Sequence, residues 1–128
     1  MKVLLDTHIV LWMVNEHEKL SLSAKTLLLN DEHTLFISIV SLWEMAIKVS
    51  LGKLSELDGG VGVFLSKMET LPIEVLPIIT DYIKIIESLP FVHRDPFDRM
   101  LVATAIVNDM TILTADSNIP KYSAPCVW

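Results

Sequence analysis

Short apolar segments of strand-forming composition alternate with longer segments of helical pattern along this chain, and this alternation limits the possible folds. The predicted strands are 2–5, 34–39, 73–76, 111–114 and a short one near 126–127, and the predicted helices are 7–14, 21–29, 41–51, 63–69, 78–88 and 96–107. Strands that alternate with helices imply a parallel sheet covered by helices on both faces. The pattern therefore predicts a single three-layer α/β/α domain with a central, mostly parallel sheet over residues 1–128.

Residues that favour helix ends mark several of these boundaries. The candidate N-caps are Thr7, Ser21 or Ser23, and Ser41. Ser41 is followed three residues later by Glu44, which is the spacing of a capping box, and Gly52 is a natural helix stop. The stretch 53–62 contains three of the four glycines and is predicted to be a loop within the domain.

The chain is unusually hydrophobic, with 52% hydrophobic residues and a mean hydropathy of +0.50. Because its longest apolar run, 9–14, is far shorter than the ~20 residues of a membrane span, the excess apolar surface points to a partner or an oligomer. The chain shows no secretory signal pattern, and Cys126 is its only cysteine. An internal disulfide is therefore excluded, which favours a reducing cytoplasm.

Four of the 16 acidic residues differ from the others because their neighbours are apolar, and they are Asp6, Glu44, Asp98 and Asp116. Each also has a simpler interpretation. Asp6 can cap a helix, and Glu44 can complete the capping box or pair with Lys48. Asp98 can favour the helix dipole, and Asp116 can begin a turn.

Taken together, the four positions fall at, or one helical turn from, strand ends along one edge of the predicted sheet, where ligands of such folds bind. Like charges in an apolar setting are costly unless a cation neutralises them, and carboxylate oxygens suit Mg²⁺ or Mn²⁺. Such a cluster is typical of metal-assisted phosphodiester hydrolysis. The net charge of −6 argues against a general nucleic-acid coat, but metal binding by four carboxylates would leave only −2 elsewhere.

Other chemistries have less support in the sequence. No GxGxxG or GxxxxGKS/T segment is present, so the usual nucleotide fingerprints are excluded. The histidines lack HExxH or paired spacing, which argues against zinc. His8 and His93 can flank the acidic edge and are interpreted as surface residues or as supports for the acids. Trp12 and Trp43 are interpreted as core or interface residues.

Four stretches resemble the PIN-domain family and, within it, the VapC-type toxin ribonucleases of type II toxin–antitoxin systems. The stretches are VLLDTH (3–8), SIVSLWEMAIK (38–48), DPFDRMLVATA (95–105) and ILTAD (112–116). They occur in the family's order and spread over nearly the whole chain, so the resemblance also implies a PIN-like fold.

The resemblance implies an endoribonuclease that uses Mg²⁺ or Mn²⁺ to cleave single-stranded RNA. The family's acidic quartet falls on Asp6, Glu44, Asp98 and Asp116, with Asp6 and Asp98 as direct metal ligands and the other two completing the shell. Thr114 matches a hydroxyl position that the family keeps beside the last acid. The resemblance also implies a homodimer and a cognate antitoxin protein that covers the site.

Asp95 lies within a helical turn of Asp98 and could be mistaken for the metal ligand. Because it precedes Pro96, it is predicted to cap the helix that follows, and it is placed to pair with Arg99. The resemblance implies that Asp98, just before the run MLVATA, is the ligand; it also heads the apolar stripe of that helix.

Two alternative functions stay open at this point. One is an RNA-processing or structure-specific PIN-type nuclease outside a toxin system, and the other is a non-catalytic, dimeric PIN-like binding module. The presence of all four acids weakens the second alternative. Arg99 and Lys48 are candidate substrate-binding residues.

Overall fold

The computed structural model describes residues 1–55 and 57–128, so Glu56 lies outside the described residues. Strands and helices alternate as predicted. The strands are β1 (Lys2–Leu5), β2 (Thr34–Ser38), β3 (Ile73–Leu76), β4 (Thr111–Leu113) and β5 (Cys126–Val127). The α-helices are α1 (Thr7–Asn15), α2 (Leu22–Leu28), α3 (Ile39–Ser50), α4 (Gly60–Met68), α5 (Thr80–Ser88) and α6 (Pro96–Asn108).

The five strands form one sheet in the order β3-β2-β1-β4-β5, and every pairing is parallel. The central strand β1 pairs Leu5 with Ile37 of β2 on one side and with Leu113 of β4 on the other. The residues that follow these three strands therefore meet at one edge of the sheet. Asp6 and Thr114 are two of them.

Alternate residues of the strands are buried on opposite faces of the sheet, which explains why helices cover both. On one face, Leu5 and Ile37 belong to a core that includes Met45 of α3. On the other, Leu4 belongs to a second core that includes Val102 of α6. The predicted three-layer α/β/α architecture is confirmed, and the sheet is entirely parallel in the described part of the chain.

Several predicted helix ends are also confirmed. The Ser21 hydroxyl accepts a hydrogen bond from the Ala24 amide at 3.0 Å and caps α2. Gly52 follows the C-cap of α3 with a φ of +68°, a conformation that favours glycine. Asp95 caps α6, and Pro96 occupies the first turn of that helix.

Three predicted ends are wrong. Helix α1 has Asp6 rather than Thr7 at its N-cap, and the Asp6 side chain makes no capping hydrogen bond. Helix α3 begins at Ile39 with Ser38 as its cap, so Ser41 lies inside the helix and forms no capping box. Helix α4 begins at Gly60, inside the stretch predicted to be a loop. In the described part of the chain, no helix combines the length and apolarity needed to cross a bilayer.

Candidate active site

Asp6 lies at the centre of the sheet edge, directly after β1, and is only 5% exposed. Its Oδ2 accepts a hydrogen bond of 2.7 Å from the Thr114 hydroxyl, which follows the neighbouring strand β4. Burial raises the pKa of Asp6 above its ordinary value, although the Thr114 hydrogen bond and the charge of His8 oppose this shift. The site therefore holds Asp6 in place while making its negative charge unfavourable.

Asp116 is joined to Asp6 through the same threonine, because the Thr114 hydroxyl also accepts a hydrogen bond of 3.0 Å from the Asp116 amide. The Oδ1 atom of Asp116 accepts from the amides of Asn118 and Ile119, at 2.6 and 3.1 Å. The predicted turn role of Asp116 is therefore confirmed. Asp6 and Asp116 also line one open depression of about 240 Å³ with His8 and Trp12.

Glu44 is placed at this edge by α3 and is buried, although it is charged. The Thr7 hydroxyl donates to Oε1 at 2.8 Å, and the Lys48 ammonium donates to Oε2 at 2.7 Å. The predicted pair of Glu44 and Lys48 is thus confirmed. Burial lowers the pKa of Lys48, but the hydrogen bond and charge of Glu44, with the charges of Asp95 and Asp98, outweigh burial and raise it.

Asp95 and Asp98 have different surroundings at the start of α6. The Asp95 carboxylate accepts from the amides of Phe97 and Asp98, at 2.9 and 3.2 Å, which confirms its predicted capping role. The pKa of Asp98 is raised from 3.8 to about 6, mainly by burial; the hydrogen bond of His93 opposes the shift, and the charges of Asp95, Asp6 and Asp116 contribute to it. Asp98 thus lies within the electrostatic influence of the other acids at this edge.

His93 contacts Asp98, with 3.0 Å between Nε2 and Oδ2. Its other ring nitrogen lies 2.8 Å from the hydroxyl of Tyr122. The sequence indicated His93 as a possible support for the acids, which agrees with this contact. Tyr122 carried no such signal, because it is 29 residues away in the chain and reaches His93 only through the fold.

Arg99 does not form the predicted pair with Asp95. Its guanidinium is buried and donates to the carbonyl oxygens of Ile86, Leu89 and Pro90, at 3.3, 3.3 and 2.8 Å. It also lies 4.4 Å from the centre of the Phe91 ring. Carbonyl groups within and after the last turn of α5 already accept hydrogen bonds from the guanidinium. The structure therefore favours a structural role for Arg99 over the predicted contact with substrate.

The donor set at this edge fits a hard divalent cation, since it consists of carboxylate oxygens whose mutual repulsion a cation would relieve. Within residues 1–55 and 57–128, no three acidic, histidine or cysteine side chains come close enough to form a ready-made metal cage. Mg²⁺ is commonly held by only one or two carboxylates and keeps several of its waters. The arrangement therefore fits an open, partly hydrated ion better than a closed structural site.

The structure thus combines a parallel α/β sheet with buried acids at the carboxyl edge of its strands. The family model named PIN domain matches residues 3–125, and the chain therefore belongs to the PIN-domain family, whose members are nucleases that generally use divalent metal ions. No curated protein gives a significant match by sequence.

Solved structures with similar folds include complexes of named protein pairs. A chain of VapBC2 from Rickettsia felis, bound to a promoter DNA fragment, is 18% identical with a TM-score of 0.75, over 99% of this chain and 98% of that one. A chain of VapBC-1 from nontypeable Haemophilus influenzae is 16% identical with a TM-score of 0.62, over 99% and 97%. A chain of FitAB bound to a DNA fragment is also 16% identical with a TM-score of 0.62, over 98% and 93%. At these identities, the likeness shows the fold.

Proposed function

We propose that this chain is a Mg²⁺- or Mn²⁺-dependent endoribonuclease that hydrolyses phosphodiester bonds of single-stranded RNA. The observation that supports this most directly is the gathering of Asp6, Glu44, Asp98 and Asp116 at one sheet edge, where burial raises the pKa of Asp6 and Asp98. An acidic group in a cleft whose pKa is shifted by burial and by neighbouring charges is a candidate for a functional site.

In this proposal Asp6 and Asp98 hold the ion directly, and Glu44 and Asp116 complete its shell, directly or through water. A bound divalent ion supplies a water of lowered pKa and neutralises charge on the scissile phosphate. Thr114 keeps the Asp6 carboxylate oriented through its 2.7 Å hydrogen bond. Lys48, whose side chain is partly exposed and lies 2.7 Å from Glu44, offers a positive charge beside the site for an RNA phosphate.

We further propose that the chain works in the cytoplasm as the toxin of a type II toxin–antitoxin pair. In this proposal each subunit is a single PIN domain, two subunits form a homodimer, and a cognate antitoxin binds to them. The similar structures are themselves complexes of named pairs. Large apolar side chains are also exposed on this chain, including Trp43 at 59% and Phe91 at 82%, which is typical of surfaces that a protein partner covers. Light scattering of the purified chain, alone and co-expressed with a neighbouring small reading frame, tests this assembly.

The activity is tested with labelled single-stranded RNA, in EDTA and after addition of Mg²⁺ or Mn²⁺. Cleavage should stop in EDTA and return with the metal, and Asp6→Asn and Asp98→Asn should abolish it while the circular dichroism spectrum is unchanged. Asp81→Asn, on the exposed side of α5, is a matched control that should cleave normally. Full cleavage by both site variants, or cleavage without metal, would contradict the proposal.

The same assay with structured RNA and DNA flaps as further substrates, together with an Mn²⁺ titration, separates the alternatives. Preference for structured RNA or DNA flaps over single-stranded RNA would favour an RNA-processing or structure-specific nuclease. Absence of cleavage together with absence of Mn²⁺ binding would favour the non-catalytic binding module.

A further inference from the structure

A chain of hydrogen bonds runs from a buried arginine to the proposed metal ligand on α6. The Arg99 guanidinium lies 3.2 Å from the Tyr122 hydroxyl, and the Tyr122 hydroxyl lies 2.8 Å from Nδ1 of His93. Nε2 of His93 lies 3.0 Å from Oδ2 of Asp98. Arg99 and Tyr122 are each 5% exposed, and the side chains of His93 and Asp98 are 16% exposed. The four hydrogen-bonded side chains are therefore well shielded from solvent.

The donors and acceptors along this chain can be assigned from elementary chemistry. A guanidinium only donates hydrogen bonds, so the Tyr122 oxygen must accept from Arg99. The single Tyr122 proton is then available for another acceptor, and Nδ1 of His93 at 2.8 Å is much closer than the His93 carbonyl at 3.4 Å. If Nδ1 accepts, the neutral ring carries its proton on Nε2, which donates to the Asp98 carboxylate.

At the Arg99 end, this series of hydrogen bonds is anchored to the protein backbone. The Arg99 guanidinium donates to three carbonyl oxygens within and after the last turn of α5, and the Phe91 ring lies against it. Its position is thus set by α5 as well as by its own helix. Tyr122 follows the short 3-10 turn Ile119–Lys121, whose first amide, that of Ile119, donates to Oδ1 of Asp116 at 3.1 Å. The hydrogen bonds therefore connect Asp98 to two other parts of the fold, the end of α5 and the segment that contains Tyr122.

We propose that His93, Tyr122 and Arg99 are positioning residues for the divalent-metal site. Arg99 and Tyr122 fix His93 as its Nε2–H tautomer, and His93 holds the Asp98 carboxylate in one orientation. This inference rests on the proposed function in one respect, namely that Asp98 is a metal ligand. Hydrogen-bond partners of metal ligands commonly change metal affinity by about 10–100-fold when they are removed.

The tautomer is tested first in the metal-free protein, by nitrogen NMR of the histidine rings near pH 7.5, with the His93 signals assigned through His93→Gln. The expected result is a protonated Nε2 and an unprotonated, hydrogen-bonded Nδ1. In Tyr122→Phe, the Nδ1 resonance should move to the chemical shift of an unprotonated ring nitrogen that accepts no hydrogen bond. A proton on Nδ1, a doubly protonated ring, or an Nδ1 resonance unchanged in Tyr122→Phe would overturn the inference.

Metal affinity is tested by Mn²⁺ titration calorimetry on full-length variants whose folding is checked by chemical denaturation. His93→Ala and Tyr122→Phe should weaken Mn²⁺ binding by about 10–100-fold. His93→Gln should restore most of the affinity, because its amide nitrogen can replace Nε2 as the donor. His17→Ala, at an exposed histidine far from α6 in sequence, is the matched control and should bind as the wild type does.

The outcomes separate this inference from the proposed function. Wild-type affinity in His93→Ala and Tyr122→Phe would overturn the positioning role alone. Failure of His93→Gln to restore binding would also overturn it, since a donor at Nε2 would then be insufficient. A wild-type protein that binds no Mn²⁺ would refute the proposed function and the positioning role together.

Discussion

The Thr114 hydroxyl donates a 2.7 Å hydrogen bond to the buried carboxylate of Asp6, across a sequence separation of 108 residues. The contact forms because β1 and β4 are parallel neighbours that end at the same level, with Leu5 opposite Leu113. The same hydroxyl accepts from the Asp116 amide, so one side chain connects two of the four acids.

Thr114→Val keeps the shape of this side chain and removes both hydrogen bonds. We expect the free energy of unfolding in EDTA to fall by about 1.5–3 kcal/mol, because a buried carboxylate loses a donor and a backbone amide loses an acceptor. Chemical denaturation measures the change. Thr111→Val, at the start of β4, should change stability much less, and an equal loss in both variants would contradict the role of Thr114.

Asp98→Asn should stabilise the metal-free protein at neutral pH. The pKa of Asp98 is raised from 3.8 to about 6 on folding, so the folded state binds more protons and stability falls as the pH rises through this interval. Above the folded-state pKa, the ionised Asp98 carboxylate lowers the free energy of unfolding by about 2–3 kcal/mol. The variant should therefore gain stability at pH 7.5 and little at pH 4.

Denaturation in EDTA at both pH values tests this expectation, with Asp81→Asn at an exposed position as the control. The control should show no gain that depends on pH. Lower stability of Asp98→Asn than of the wild type at pH 7.5 would show that the ionised carboxylate stabilises the metal-free fold.

Lys48→Met should separate metal binding from RNA binding. The ammonium pairs with Oε2 of Glu44, so its removal frees one carboxylate and takes a positive charge from the edge. We expect Mn²⁺ to bind at least as tightly as before, and the KM for RNA to rise several-fold. Lys67→Met, at an exposed position on α4, controls for the change of net charge. A loss of Mn²⁺ affinity in Lys48→Met would contradict this account.

Arg99→Lys should destabilise the protein by about 2–3 kcal/mol, because one ammonium cannot satisfy the carbonyl oxygens that the guanidinium contacts. Thermal and chemical denaturation measure this loss, and Arg94→Lys at an exposed position is the control. Unchanged stability with a raised KM for RNA would instead support the substrate-binding role predicted from the sequence.

The sequence was sufficient to predict the features that depend on local pattern. Parallel strands end at a common edge, so the ends of the predicted strands 2–5 and 111–114 can be expected to meet. Asp6, which follows the first strand, contacts Thr114, the last residue of the second. The Asp95-Pro96 pair predicted the start of α6, since both residue types are favoured there for known reasons. Whether the four acids bind metal stays a prediction.

Features set by tertiary contacts could not be read from the pattern. The pattern predicts a strand through Ile39 and a helix from residue 41, since Ile39 and Val40 are β-branched and apolar. In the structure, Ser38 caps a helix that already includes both. The spacing of Asp95 and Arg99 suits an ion pair, but backbone amides occupy Asp95 while distant carbonyls surround Arg99. The contact between Tyr122 and His93 depends on packing across 29 residues and has no local signal.

Asp98 is the proposed metal ligand, whereas its neighbour Asp95 caps the helix. Mn²⁺ titration calorimetry of the wild type, Asp95→Asn and Asp98→Asn tests this assignment most directly, because each variant removes one charge and asparagine also caps helices well. The account predicts that Asp95→Asn binds within a few-fold of the wild type and that Asp98→Asn binds at least about tenfold more weakly. Equal affinities of the two variants, or a larger loss in Asp95→Asn, would contradict it.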